Sequence, residues 1–161
     1  MHVAPLVRRY AALSYEALLL AAVILLAGFL TLPATRGAYA GGLALPPLPA
    51  RVFSACLVFS AMGLYCIGFW TGGRRTLAMK TWRLALVRGD GRPVDTKTAV
   101  VRYLCAWIGP AASLAAYAAL QPANLGAHAA WLLPIGYLWP ILDPDRQFLH
   151  DRLAGTRIVM S

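Results

Sequence analysis

Charge is scarce in this chain, and acidic charge is scarcest. Of 161 residues only 13% are charged, and only six are Asp or Glu. A soluble domain carries about 25% charged residues, so the polar side chains here are too few to clothe a water-facing surface. That excludes a soluble enzyme and a disordered protein. Cysteine is nearly as rare: Cys56, Cys66 and Cys105 all sit inside apolar stretches, with no C-x-x-C pair and no histidine at ligand spacing. They read as buried, reduced, structural thiols rather than a disulfide framework or a zinc site. No serine-nucleophile motif, phosphate-cradling glycine loop or H-E-x-x-H helix is found either. The sequence thus points to no catalytic motif, no cofactor and no metal site, and the expected protein is not an enzyme.

What the chain has in abundance is apolar length. Hydrophobic residues make up 60% of it and its mean hydropathy is +0.62. Four apolar runs stand out, at about residues 9–32, 52–70, 99–120 and 126–142. A bilayer core of about 30 Å needs about 20 helical residues, so the first three qualify by length. The fourth is shorter and holds Pro134 and Pro140, so it crosses with local thinning or is kinked or re-entrant. The expected fold is an all-α integral membrane protein, a single domain of about four transmembrane helices. The net charge of +9 does not indicate a nucleic-acid binder, because the bases lie between apolar runs rather than on one polar face.

Where those bases fall predicts orientation. With four spans, thirteen of the fifteen Lys and Arg residues share one side with the termini, and only Arg36 and Arg51 face the other. The positive-inside rule then puts both termini, the 73–98 loop and the 143–161 tail in the cytoplasm of a multi-pass cell-membrane protein. Ala38-Tyr39-Ala40 resembles a signal-peptidase site, but the preceding run is too long for a signal peptide and contains Glu16. A permanent helix is expected, followed by an irregular outer loop with Pro46, Pro47 and Pro49. In the inner loop, residues 76–80 read as a short interfacial helix whose bases face anionic head groups. Residues 83–88 read as a strand, Gly89-Asp90-Gly91 as a turn, and residues 156–160 as a second strand that pairs with the first in a small cytoplasmic β element.

Six residues are candidates for chemistry: Arg9, Glu16, Arg102, Asp143, His150 and Asp151. A carboxylate within a membrane helix normally faces the bundle interior and has a partner or a function. Glu16 is therefore either a proton- or cation-handling group or one half of an ion pair, with Arg102 as the natural partner. Arg9 and Arg102, near the inner ends of their helices, either snorkel to head groups or form a charged layer with Glu16 and the tail carboxylates. A His-Asp pair such as His150 and Asp151 can support proton transfer or metal binding, but adjacent residues on an extended chain would point to opposite sides. Asp143, Asp145 and Asp151 otherwise read as partners for nearby arginines. Gly109, Ser113 and Ala116 give the third helix a small-residue face suited to close packing or oligomerisation.

Three blocks resemble the RDD family of small membrane proteins. Arg9-Tyr10-Ala11-Ala12-Leu13-Ser14-Tyr15-Glu16 is similar to its opening, with Glu16 replacing the first namesake aspartate. Gly73 to Lys80, followed by Leu84-Ala85-Leu86-Val87, is similar to its central segment, with Ala78 where glycine is frequent. His150-Asp151-Arg152-Leu153-Ala154-Gly155-Thr156 is similar to its closing signature. The resemblance implies a few transmembrane helices and transport of an unidentified ligand, without an enzyme activity. The leading expectation is movement of an ion or small solute, in a homo-oligomer because four short helices leave little interior. The alternative is a membrane-anchored scaffold for a partner protein. The bilayer, with anionic lipid at its inner face, is the expected environment.

Overall fold

The computed structural model describes residues 3–39 and 47–161. The outer loop and the Ala40 end of the cleavage-like site therefore lie outside the described residues. The chain begins with a long helix, α1 (Leu6–Tyr39), which starts three residues before the expected span and carries Pro33 near its far end. The next, α2 (Leu48–Trp70), begins earlier than position 52 because Pro49 sits in its first turn, where a missing N–H costs nothing. The third apolar run is two helices, α4 (Thr96–Ala106) and α5 (Ile108–Leu120), joined at Trp107. Pro110 has no N–H to offer the Ala106 carbonyl, so α4 ends there. Among the described residues these three stretches are long and apolar enough to cross a membrane.

The fourth expected span is not a continuous helix. Residues 126–142 form a 3-10 helix over Gly126–Leu132, a single turn of α6 (Ile135–Leu138) and a further 3-10 turn over Trp139–Ile141. Pro134 and Pro140 explain the breaks, since each removes a ladder donor and crowds the preceding turn. Small residues of α5 let this irregular run pack closely. Ser113 donates to the Ala129 carbonyl at 2.8 Å, and a Cβ on Gly109 would stand 2.6 Å from the Leu133 carbonyl oxygen. The small-residue face of the third helix therefore serves packing within the chain.

Between α2 and α4 lies a folded segment. Helix α3 (Leu77–Thr81) is capped by Thr76, and β1 (Leu84–Arg88) pairs antiparallel with β2 (Thr156–Met160), Leu84 opposite Met160 and Arg88 opposite Thr156. The turn between β1 and Pro93 is made at Gly89–Gly91, where Asp90 accepts from the Arg92 backbone N–H. The N-terminus joins the same cap: Val3 bridges Val159, and Ala4 donates to Ile158 at 3.1 Å. Thus residues 3–5, the central segment and the tail meet at one end of the bundle. The main core sits there as well, built from Trp70, Met79, Leu84, Leu86, Val94, Phe148 and Ile158. Away from it, large apolar side chains face outward: Leu25 is 74% exposed, Phe29 71%, Leu64 78% and Leu114 71%. Such a surface is suited to hydrocarbon and not to water. Of the cysteines, all free, only Cys66 is buried; Cys56 is exposed and Cys105 half-buried, which corrects the expectation of three buried thiols.

Candidate functional site

The polar groups converge where the helix ends meet the cap. Arg102, in α4, and Asp151, in α7 (Leu149–Ala154), are both buried, and Arg102 Nε lies 2.7 Å from Asp151 Oδ1. The guanidinium also lies 4.1 Å from the centre of the Trp70 ring, a cation–π contact that a planar cation makes well. Thr156 Oγ1 donates to the same carboxylate oxygen at 3.0 Å. The partner of Arg102 is therefore Asp151, and no ion pair joins it to Glu16 among the described residues. Arg9 and Arg102 are each only 4% exposed, so neither snorkels to a head group.

Local chain geometry explains the closing H-D-R-L-A-G-T block. It is helical, not extended, so His150 and Asp151 lie about 100° apart around α7. His150 stacks on Phe148 at 5.6 Å between ring centres, while Asp151 turns towards Arg102. Gly155 ends the helix with φ of 64°, the left-handed conformation that glycine adopts most cheaply. That reversal starts β2 and brings the Thr156 hydroxyl back to Asp151. Burial drives the His150 imidazolium down to about 4, against the raising effect of Asp151 and with a further lowering by Arg102. The ring is neutral near pH 7, and its 3.9 Å approach to Asp151 Oδ2 is not an ion pair there. Burial alone would raise the Asp151 carboxyl; Arg102, His150 and the bonds from Arg102 and Thr156 outweigh it and hold the group below the usual carboxylate range.

Glu16 reaches the central segment. Thr76 Oγ1 donates to Glu16 Oε2 at 2.6 Å and accepts from the Met79 backbone N–H at 3.2 Å. One hydroxyl thus caps α3 and ties it to α1. Asp143 is held locally: its Oδ2 accepts from the Gln147 backbone N–H at 2.9 Å, and Arg152 lies 3.8 Å from its Oδ1. Arg152 is held more closely by Asp145, at 2.6 Å. Sequence reasoning did not single out Thr76, Thr156, Trp70, Phe148 or Tyr137. The threonines lay inside motif blocks, which was a usable signal; the aromatics looked like ordinary apolar residues.

These elements line a partly open cavity of about 190 Å³ whose lining includes Arg9, Glu16, Arg102, Trp70, Tyr137 and His150. Four of the six predicted residues line it; Asp151 stands behind Arg102, and Asp143 lies outside the lining. Three buried polar atoms lack a hydrogen-bond partner in this region: Arg9 Nε, Glu16 Oε1 and Asp151 Oδ2. No cluster of metal-ligating side chains occurs among the described residues.

Long outward-facing apolar helices closed at one end by a buried polar cap define a helical membrane protein. More particularly, the chain belongs to the RDD family, whose model matches residues 3–155, nearly its whole length. No curated protein and no solved structure matches it.

Proposed function

We propose that this is a multi-pass cell-membrane protein that moves an ion or small solute by way of the polar cavity at the end of its helix bundle. One observation carries the reading: buried charged groups, some of them unpartnered, line a space inside an otherwise apolar protein. Such groups are costly in a membrane and normally mark a pathway or a binding site. Residues 126–142 make the fourth crossing in this reading, irregularly. The path from Leu120 back to the cap must retrace the rise from Arg102 to Leu120, about 27 Å at 1.5 Å per residue. With four crossings both termini and the central segment share the cytoplasmic face, in keeping with the basic excess. Exposed Arg74, Lys80 and Arg83 there would meet anionic lipid. The cavity lies at one end only, so a continuous path would run along an interface between copies of the chain.

The test is flux in proteoliposomes. Ion- or proton-dependent solute flux above that of empty vesicles is expected, and Glu16→Gln should reduce it. Flux equal to empty vesicles would discard transport and favour the scaffold, with the rigid cap as the partner-binding surface. Reporter tags on both termini should be accessible from the same face; opposite faces would discard the fourth crossing.

A further inference from the structure

The two buried arginines are not equivalent. Arg102 is matched by Asp151 at 2.7 Å and by the Trp70 ring. Arg9 is as buried, at 4% exposed, yet among the described residues its guanidinium makes no ion pair and no hydrogen bond. Its Nε is orphaned, its guanidinium lies 5.8 Å from the centre of the Phe148 ring, and the carboxylates of Asp151 and Asp143 act on it only at longer range. Among the described residues the only carboxylate lining the cavity is Glu16, which accepts from Thr76 at one oxygen and also interacts with the Tyr65 hydroxyl. A buried cation without a partner is costly, and the cost is recovered when an anion arrives.

Resting on the transport reading above, we propose that the cavity binds a small amphipathic monocarboxylate, with the carboxylate on Arg9 and an apolar body against the remaining walls. Guanidinium is the side-chain group best matched to a carboxylate, through two parallel N–H donors. Besides Glu16, Arg102 and His150, the walls are apolar and aromatic, including Leu13, Met62, Trp70 and Trp107, so an inorganic anion would leave most of them bare. Size bounds the body. A dry protein cavity of about 150 Å³ accepts one benzene, and this one, at about 190 Å³, has room for a ring with its carboxyl group.

The test uses the full chain in phosphatidylcholine nanodiscs and equilibrium binding of labelled benzoate. One saturable site per chain is expected. Benzyl alcohol should compete at least about tenfold more weakly, and benzylamine and inorganic phosphate should not compete. Arg9→Met should abolish binding with little change in the unfolding temperature of the ligand-free protein, because it breaks no hydrogen bond and no close ion pair; loss of a merely structural arginine would lower it sharply. Leu13→Trp keeps Arg9, fills the cavity and should also abolish binding. No saturable benzoate binding, or tighter binding of benzylamine or phosphate, would overturn the proposal. Benzoate binding without flux would keep this site and remove transport. Flux of an inorganic ion without benzoate binding would do the reverse.

Discussion

Asp151 is the residue on which the cap depends most, because it is 1% exposed and sits directly against Arg102. Removing its charge leaves a guanidinium buried with no counter-ion, which costs about 3–5 kcal/mol. Asp151→Leu should therefore lower the unfolding temperature sharply in detergent, and the double change with Arg102→Met should recover much of the loss. If the two effects simply add, the pair is not coupled. His150 sets the acid limit. Its ring takes up a proton at about 4 in the folded protein against 6.5 ordinarily, so on acidification the unfolded chain binds the proton first. Its contribution is fully present above about 6.5 and is lost as pH falls towards 4, by about 3 kcal/mol at about 1.4 kcal/mol per pH unit. Asp151, with its folded value also depressed, adds a loss of the same sign at lower pH. Unfolding by denaturant between pH 7 and 4 should show this slope, and His150→Gln should flatten its upper part.

Among the elements, the broken return from α5 to α7 was the least legible. Its length suggested a marginal span, and Pro134 and Pro140 warned of interruption. The 3-10 geometry, however, is chosen by what it packs against. Gly109 is what allows that contact: Gly109→Ala puts a methyl 2.6 Å from the Leu133 carbonyl and should destabilise by about 1–3 kcal/mol, as overpacking does. Gly28→Ala, where nothing lies within 4 Å, is the control and should be neutral or slightly stabilising. Equal effects at the two sites would show that the close approach is not what matters. The pairing of β1 with β2 was easier to anticipate, because short β-branched and apolar runs flanked by glycine and charge have few other uses. Leu84 and Leu86 alternate inward on β1, while Ile158 and Val159 are buried on β2.

For the molecule as a whole, the division between an apolar bundle and a packed polar end governs what damage would look like. Deleting residues 156–161 removes β2 and the Thr156 bond to Asp151, and uncovers Leu84. Far-ultraviolet circular dichroism should change little, because the long helices need only lipid. The near-ultraviolet signal and the protection of the cap against protease should fall; an intact cap after the deletion would mean that β2 merely decorates it. Composition and hydropathy by themselves determined the class of protein, three of its apolar segments, the two strands and the blocks that carry the family likeness. Those depend on local chemistry, on apolar length and on turn residues, which a chain shows without being folded. Tertiary structure alone decided who pairs with whom. Arg102 could have met Glu16 or Asp151, and the choice fell to Asp151 because the left-handed turn at Gly155 and the β1–β2 pairing carry α7 to α4. The same closure left Arg9 buried beside a cavity with no hydrogen bond and no close ion pair among the described residues. Spacing cannot reveal that, since burial and the lack of a close partner are properties of everything around a residue.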